Sequence, residues 1–401
     1  MTRPPQARRL RRIATPAIVA AGTVLMAGCA KNETQSVFTP KGANARNINN
    51  LQTKVMVAAC VVGVIVFFFV FFAVYKFKDR GQPIPGQGHG NSMIEIGTVV
   101  VSALVLGVIA VPTTQTIFEL AKTNDCKTVV NVTGQRWWWE YSYPVQAGIS
   151  KPIVTSGELV IPTGQCVLLR VQSRDVIHSY WIPALNGKKD AVPGRVQPLR
   201  LEADHPGIFD GQCTEFCGLS HANMKMEAVA LTPTDFATWV TKQTTDAAPT
   251  AAKVDASMDK AATDGFTTFA QCSRCHQVNG RVDADGNPVI ARADQNLVPG
   301  AAPNLTHLMS RSTFAGSTFD LLSPECRATL RNASPDAFGA LYLKGVTPDC
   351  LNRDTLEAWL RDPVALKPME PALTGLGQGM PNLNLSETAI DQLIAYLETL
   401  K

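Results

Sequence analysis

Residues 211–228 read GQCTEFCGLSHANMKMEA, and this stretch decides how the rest of the chain is interpreted. Five potential metal ligands lie within twelve positions of one another: Cys213, Glu215, Cys217, His221 and Met224. A disulfide, a zinc site and a copper site are all compatible with this spacing. Thiolate, imidazole and thioether donors together favour a soft redox metal, whereas methionine is a poor zinc ligand. A disulfide between the two cysteines would leave the other three side chains unexplained.

The second cysteine distinguishes two kinds of copper site. One cysteine with two histidines and a methionine would form a mononuclear blue-copper centre. Two thiolates can instead bridge two copper ions, which spreads one electron over both and limits the geometric change on transfer. The presence of both Cys213 and Cys217 therefore favours a dinuclear site.

The flanking sequence is typical of β-structure. From Lys127 to Leu231, short valine-rich runs are broken by glycine and proline, which predicts an antiparallel β-sandwich or Greek-key barrel. The segment DVIHS lies between two such runs and places His178 at the end of a strand-like stretch.

Two apolar segments precede the β-region. Val55–Tyr75 contains no charged residue, and as a helix it would span about 30 Å of hydrocarbon. Ile96–Ile109, with flanks reaching Phe118, is also long enough to cross a membrane. Glu95 stands at the start of this second span, where an acid is a functional candidate by default.

The N-terminus is typical of an exported protein. Five arginines precede the apolar run Ile13–Ala27, and a small-residue site ends at Cys29. This layout predicts a secretory signal of lipoprotein type with a lipidated Cys29, and the alternative is an uncleaved anchor. An exported N-terminus followed by two spans places everything after about Leu120 on the outer face. The mild net charge of +4 argues against a nucleic-acid partner.

CTEFCGLSHANM resembles the copper A motif, C-x-E-x-C-G-x-x-H-x-x-M, of the cytochrome c oxidase subunit 2 family. The resemblance covers residues 50–240 and includes GQRWWWEYSY, DVIHS and KKDAVPGR. It implies a cupredoxin-like domain in which six residues ligate copper A: His178, Cys213, Glu215 through its carbonyl, Cys217, His221 and Met224. Quinol oxidases of this family share the fold but lack these copper ligands.

The same resemblance assigns further roles. The side chain of Glu215 would reach a magnesium ion shared with the catalytic subunit. Trp137 matches the tryptophan through which electrons enter, although a core or interface aromatic cluster is the alternative for Trp137–Trp139. Glu95 falls where the family has an acid at the mouth of a proton channel in the neighbouring subunit.

A second motif follows an Ala- and Thr-rich linker. FTTFAQCSRCHQVNG contains C-x-x-C-H, the attachment motif of c-type haem, at Cys272, Cys275 and His276. A methionine would supply the sixth iron ligand; Met380 is the preferred candidate and Met369 its rival. The region resembles class I cytochrome c domains fused to oxidase subunit 2, with Pro303 near the proximal histidine. His307 is expected to be a structural hydrogen-bonding residue, and Met309 a core residue.

More than a hundred residues separate His276 from Met380, which is longer than a compact cytochrome c domain requires. Exported cysteines without a metal role usually pair, so we expect a Cys326–Cys350 disulfide in this insertion and a second between Cys126 and Cys166. We expect the insertion to contact a partner subunit.

These inferences predict a multidomain chain: a two-helix transmembrane hairpin, a cupredoxin-like β-sandwich or Greek-key barrel, and an all-α class I cytochrome c domain. The expected divisions are a signal peptide (1–28), an outer segment (29–50), the hairpin (51–120), the copper A domain (121–241), a linker (242–257) and the cytochrome c domain with its insertion (258–401).

The predicted function is that of subunit 2 of a respiratory, proton-pumping cytochrome c oxidase in a bacterial inner membrane, with its metal domains on the periplasmic face. Electrons would pass from cytochrome c, or from this chain's own haem c, through copper A to the haem of subunit 1. Expected partners are subunits 1 and 3, and cytochrome c or an upstream quinol-oxidising complex. The alternatives are a subunit of a copper A-containing nitric oxide reductase or a non-enzymatic copper protein. A nitrous oxide reductase would require a large propeller domain.

Overall fold

The computed structural model describes residues 34–81, 86, 88, 90–245, 259–279, 302–370 and 378–401. The expected signal peptide, Cys29 and most of the expected linker lie outside the described residues. Two long helices, a β-domain and a helical C-terminal region follow one another along the chain.

The helices in the described ranges are α1 (Ala43–Lys76), α2 (Ser92–Leu120), α3 (Pro233–Gln243), α4 (Lys260–Thr268), α5 (Pro324–Arg331), α6 (Pro335–Lys344), α7 (Arg353–Arg361), α8 (Pro363–Leu366) and α9 (Glu387–Leu397). The strands there are β1 (Thr128–Gln135), β2 (Trp138–Tyr143), β3 (Ile153–Ser156), β4 (Glu158–Pro162), β5 (Val167–Ser173), β6 (His178–Tyr180), β7 (Lys189–Ala191), β8 (Gln197–Leu201), β9 (Gly207–Gln212), β10 (Lys225–Leu231), β11 (Thr313–Phe314) and β12 (Phe319–Asp320).

Helices α1 and α2 contain the two predicted apolar spans. They have 34 and 29 residues, and no residue of their most apolar stretches is buried within the chain. Asn91 caps α2, because its side-chain oxygen accepts a hydrogen bond from the N–H of Met93 at 3.0 Å. Both helices are long and apolar enough to cross a bilayer.

Helix α1 begins earlier than the expected boundary at residue 51. It starts at Ala43, and its first turns rest on the β-domain. The N–H of Lys41 donates to the carbonyl of Ala184 at 2.7 Å, and Arg46 forms an ion pair with Asp204. These contacts attach the polar start of the helix, which precedes its apolar span, to the β-domain. Because the helix is continuous from Ala43, the predicted division between residues 29–50 and 51–120 falls within it.

The β-domain is built from two principal sheets. One has the strand order β3-β2-β1-β5-β8 and the other has the order β4-β10-β9, while β6 and β7 form a separate ribbon. The expectation of a purely antiparallel sandwich is wrong for two pairs: β1 runs parallel to β5, and β4 runs parallel to β10. Parallel neighbours require crossover connections, and here the chain passes between the sheets instead of returning through a hairpin.

Large buried side chains fill the space between the sheets. Trp139, Tyr141 and Leu159 are fully buried, and the hydroxyl of Tyr143 donates to the carbonyl of Val160 at 2.9 Å. This apolar core fixes the two sheets against each other and therefore the loops that join them.

The helical C-terminal region has two parts. Helices α4 and α9 pack together, with the rings of Phe266 and Tyr396 in edge-to-face contact at 5.5 Å. Residues 304–370, here called the insertion segment, carry β11, β12 and helices α5 to α8. The structure pairs Cys326 with Cys350 inside this segment, and Cys126 with Cys166 beside β5.

The insertion segment packs on the β-domain of its own chain. The buried carboxylate of Glu158 accepts hydrogen bonds from the N–H groups of Ser312 and Thr313, at 2.6 and 2.7 Å, and from the hydroxyl of Tyr342 at 2.8 Å. Polar groups of β4 and β10 of the same chain therefore receive this face of the segment, and its contact with a partner subunit stays a prediction.

Arginines of α5 complete the contact. Arg327 pairs with the buried Glu227 of β10, and Arg331 donates to Asp210 at 2.6 Å and to Glu227 at 3.1 Å. The relative exposure of the Arg327 and Glu227 side chains is 7% each, so this ion pair is withdrawn from water. Removing one partner from such a pair leaves an uncompensated charge.

Candidate metal centre

The predicted ligands meet where β9 and β10 are joined. These two strands pair antiparallel up to Gln212 and Lys225, so the loop between them, residues 213–224, leaves and returns at one point. His178 is brought to that loop by the start of β6. The N–H of Cys213 donates to the carbonyl of Met224 at 2.9 Å, which closes the loop.

The donor atoms converge at contact distance. The sulfur of Cys213 lies 3.9 Å from the sulfur of Cys217, 3.9 Å from Nδ1 of His178 and 3.4 Å from the carbonyl oxygen of Glu215. The sulfur of Cys217 lies 3.5 Å from Nδ1 of His221 and 3.8 Å from Sδ of Met224. The structure thus brings all six predicted residues together and divides them between the two thiolates.

This geometry fits a pair of bridged metal ions and not a disulfide. Half of the distance between the two sulfur atoms is shorter than a metal–thiolate bond of about 2.3 Å, so both sulfurs can contact the same ion. A covalent pair would need about 2.0 Å between the two atoms. The mixed soft donor set is one that suits copper.

The two thiols have opposite tendencies to ionise. Hydrogen bonding to Cys217, followed by that to His178, lowers the pKa of Cys213. The neighbouring Cys213 thiolate is the main cause that raises the pKa of Cys217. In the absence of a cation the pair therefore keeps one proton, which bound metal ions would displace.

Asp175 orients His178 and was missed by the sequence analysis. Its carboxylate accepts from Nε2 of His178 at 2.8 Å and from the N–H groups of Arg136 and Val176 at 2.8 and 2.7 Å. Burial alone would raise the pKa of Asp175, but these hydrogen bonds outweigh it and lower the pKa to about 2. An anionic acceptor on Nε2 leaves Nδ1 facing the sulfur of Cys213. The signal was present in DVIHS, where the acid precedes the histidine by three positions.

Trp137 is bonded directly to the ligand loop. Its Nε1–H donates to the carbonyl of Cys217 at 3.0 Å, and the side chain is only 3% exposed. Trp139 is a buried core residue in edge-to-face contact with His178 at 5.8 Å. The three tryptophans therefore divide between a residue bonded to the loop and residues of the core.

The outer rim of the loop is apolar and exposed. Phe216 is 77% exposed and Leu219 is 58% exposed, and the side chain of Glu215 also faces solvent. Exposed apolar side chains that lie together mark an interaction surface.

The predicted haem-binding residues occupy the region after α4. Cys272 and Cys275 are unpaired thiols in and after the 3-10 turn Phe269–Arg274. Nδ1 of His276 donates to the carbonyl of Pro303 at 2.8 Å, which leaves Nε2 as the atom that can bind a metal. This contact places Pro303 beside the predicted proximal histidine.

Met380, Met369 and His307 have different surroundings. Met380 is half-buried at the edge of the core, whereas Met369 is 8% exposed. His307 is buried, and its Nδ1 donates to the carbonyl of Lys401 at 2.8 Å, which agrees with a structural role. Met309 is a core residue, as expected.

A helical anchor followed by a β-sandwich with a thiolate, imidazole and thioether cluster defines a membrane-bound electron-transfer protein. Comparison with known proteins makes this specific. The family described as cytochrome c oxidase subunit II, periplasmic domain, matches residues 128–230, and the corresponding transmembrane domain matches residues 33–116.

Full-length relatives match as well. Cytochrome c oxidase subunit 2 of Alkalihalophilus pseudofirmus is 30% identical over 390 residues, which is 94% of each chain. The subunit 2 of Bacillus subtilis is 29% identical over 396 residues, which is 94% of this chain and 95% of that one. A solved structure of the periplasmic domain of subunit II from Bradyrhizobium japonicum is 29% identical and covers 30% of this chain and 96% of its own, with a TM-score of 0.29.

The chain belongs to the cytochrome c oxidase subunit 2 family. It is an electron-transfer subunit of a membrane oxidoreductase, held by two spans with its β-domain facing outward. Membership implies a copper A site in the β-domain, and it does not favour the nitric oxide reductase or non-enzymatic alternatives.

Proposed function

We propose that His178, Cys213, Cys217, His221 and Met224, with the carbonyl of Glu215, hold dinuclear copper A, and that the C-terminal region carries a covalent haem c. The observation that supports the copper assignment is the approach of two thiols to 3.9 Å, each with its own imidazole within 3.9 Å. Copper held by these residues would supply one-electron exchange with little change in geometry.

The protein residues prepare the site for this exchange. Asp175 fixes the ring of His178, and Trp137 fixes the backbone of Cys217. Because both ligands are held from outside the loop, the donor set is pre-organised before metal binds. The exposed carboxylate of Glu215 is the candidate magnesium ligand, and it lies on the exposed rim of the ligand loop.

The haem assignment is supported by the placement of the C-x-x-C-H motif. Cys272 and Cys275 would form the thioether bonds, and Nε2 of His276 would bind iron because Nδ1 is held by Pro303. Met380 is proposed as the sixth ligand. Electrons from cytochrome c or an upstream quinol-oxidising complex would enter at this haem, reach copper A and leave for subunit 1, with subunit 3 as a further partner. Glu95 would serve a proton channel of the neighbouring subunit.

We also propose domain boundaries and a lipid attachment point for the chain. The cytochrome c domain would comprise residues 258–401 with its insertion, the linker residues 242–257, and Cys29 the lipid attachment point of the mature protein. The complex as a whole would reduce dioxygen to water and pump protons across a bacterial inner membrane.

Copper content and electron-spin resonance of the full chain test the copper assignment. We expect two coppers sharing one unpaired electron in the wild type. Cys217→Ser should lose that spectrum, whereas Cys60→Ser, a matched change at the cysteine of α1, should keep it. Two coppers in the Cys217→Ser variant would contradict the assignment.

The haem assignment is tested separately by haem content. Cys275→Ala should lose one thioether bond, and Met380→Ala should retain covalent haem but lower its reduction potential. If Met369→Ala changes the axial-ligand spectrum and Met380→Ala does not, then Met369 is the ligand.

A further inference from the structure

Lys367 is a buried basic residue that none of the roles above uses. It lies after α8 in the insertion segment, and its exposed fraction is 3%. Its Nζ donates to the carbonyl oxygens of Trp137 and Ala315, both at 2.8 Å, and to the hydroxyl oxygen of Thr318 at 3.1 Å. A protonated lysine has three N–H donors, so these three oxygens use all of them.

The oxygens around Nζ favour the charged form of Lys367. The hydroxyl of Thr318 has one hydrogen, which it donates to the carbonyl of Asn223 at 2.7 Å or to that of Ala315 at 2.8 Å. The oxygen of Thr318 therefore accepts from Lys367, as the two carbonyls do. A neutral amine would direct its lone pair at one of these oxygens, whereas the ammonium ion satisfies all three.

The ammonium group has no carboxylate partner within the part of the chain that the structure describes. Burial lowers the pKa of Lys367, and negative charge on Cys217 opposes this effect. A charge withdrawn from water requires hydrogen bonds or an opposite charge to compensate it. Both cysteines of the ligand loop are thiolates once metal is bound, so the loaded loop supplies that opposite charge.

Lys367 also bonds to two residues that contact the backbone of the ligand loop. Trp137 accepts from Lys367 through its carbonyl and donates through Nε1 to the carbonyl of Cys217 at 3.0 Å. Thr318 accepts from Lys367, and its hydroxyl lies 2.7 Å from the carbonyl of Asn223, the residue before Met224. One ammonium group thus holds the supports of the loop backbone at Cys217 and beside Met224.

The turn at residues 315–318 fits closely between these groups. A Cβ added at Gly316 would lie 2.9 Å from the carbonyl oxygen of Trp137 and 3.3 Å from Nζ of Lys367. Gly316 also has a φ of 72°, which favours glycine. The turn can therefore bring Ala315 and Thr318 to Lys367 because position 316 has no side chain.

We propose that Lys367 is a positioning residue of the copper site with two effects. Its hydrogen bonds hold Trp137 and Thr318 against the ligand loop, and its positive charge raises the reduction potential of copper bound there. A nearby cation favours the reduced centre, because that centre carries one positive charge fewer than the oxidised centre. This inference rests on the proposed copper site and adds a residue of the insertion segment to it.

The effect of the charge is tested by redox titration of the copper-loaded full chain in detergent, followed by electron-spin resonance. Lys367→Met removes the charge and should favour the oxidised centre about tenfold, which is a fall of about 59 mV for one electron. Lys344→Met, a matched change at an exposed lysine of α6, should shift the equilibrium less than about twofold, because solvent screens its charge. An unchanged potential in Lys367→Met would overturn the effect of the charge.

The positioning effect is tested by the rate at which a chelator removes copper. Thr318→Val removes the hydrogen bond to Asn223 and keeps the charge of Lys367. Both Thr318→Val and Lys367→Met should release copper about tenfold faster than the wild type, because outer partners of a metal site contribute to its affinity. Unchanged release from both variants would overturn the positioning effect. An equal fall in potential in both would show that loop position sets the potential, and would overturn the effect of the charge.

The copper assignment and the role of Lys367 fail through different results. A wild-type chain that binds no copper pair would overturn both. A wild-type copper pair whose potential and release rate are the same in Lys367→Met would overturn the role of Lys367 alone.

Discussion

The β-domain has two faces that differ in chemistry. The face under the insertion segment is polar and covered, with Glu158 and Glu227 paired to groups of the same chain. The rim of the ligand loop is apolar and open, with Phe216 and Leu219 exposed. A segment of the same chain is already held near its docking surface, so paired polar groups can specify how it docks. A separate subunit must gain free energy on binding, and burial of exposed apolar side chains supplies it.

The largest loss of stability is expected from removing an ion pair between the insertion segment and the β-domain. Arg327→Ala should destabilise the docked segment by about 3–5 kcal/mol, because it leaves the carboxylate of Glu227 buried without its closest partner. Hydrogen exchange of the α5 and α6 amides in the full chain would measure this.

The matched control is Arg353→Ala. Arg353 pairs with Glu357 and Asp391 at the surface, where its side chain is 43% exposed. Its loss should cost less than about 1 kcal/mol. Equal effects of the two variants would mean that the polar face contributes no more than an ordinary surface pair.

The disulfide inside the insertion segment should have the next largest effect. Cys326 and Cys350 close a loop with a sequence separation of 24, and replacing both by serine should cost about 3 kcal/mol, through greater freedom of the unfolded chain. Denaturation of the full chain in detergent, with and without reductant, would measure the loss. The Cys60→Ser variant should show no such loss. An undiminished reductant effect in the double variant would assign the stabilisation to the Cys126–Cys166 disulfide instead.

A smaller effect is expected from pH. Burial is the main cause that lowers the pKa of His307, so the folded state holds this ring neutral. Its contribution is fully present above the unfolded value of about 6.5 and is lost as the pH falls below it, because only the unfolded chain then takes up the proton. Protection of the C-terminal amides should decline on acidification in wild type and much less in His307→Asn. A parallel decline in both would assign the effect to other groups.

The open face should give the smallest effect on the chain itself. Leu219→Ser should change the free energy of unfolding by no more than about 0.5 kcal/mol, because the side chain is exposed. The same variant should weaken recovery of the catalytic subunit on purification through a tag on this chain. Unaltered recovery would show that the apolar rim is not the contact with that subunit.

These two faces also explain which features the sequence could reveal. Five ligands lie in one loop, so their spacing alone brings them together, and the two spans depend only on local composition. Asp175 stands three positions before His178, but its hydrogen bond to that ring forms only once β6 turns His178 toward Cys213. The pairing of Arg327 with Glu227 cannot be predicted from sequence periodicity, because an arginine in a buried ion pair and an arginine on an exposed helix face give the same sequence pattern.

The strand pairing was also beyond a local pattern. In β1 and β5 apolar and polar residues alternate, which predicts a strand. That alternation does not indicate whether the neighbouring strand runs parallel or antiparallel. The docking of the insertion segment on the β-domain was likewise beyond a local pattern, because Glu158 and Glu227, which receive it, lie far from it in the sequence.

The early start of α1 has a mechanical consequence. A helix of 34 residues is about 51 Å long, whereas hydrocarbon needs about 30 Å of it, so the remainder forms a rigid stalk. The ion pair of Arg46 with Asp204 clamps that stalk to the β-domain. The stalk therefore fixes both the height of the β-domain above the bilayer and its rotation about the helix axis. One residue inserted between Asn47 and Thr53 would lift the outer domain by about 1.5 Å and turn it by about 100° relative to the bilayer.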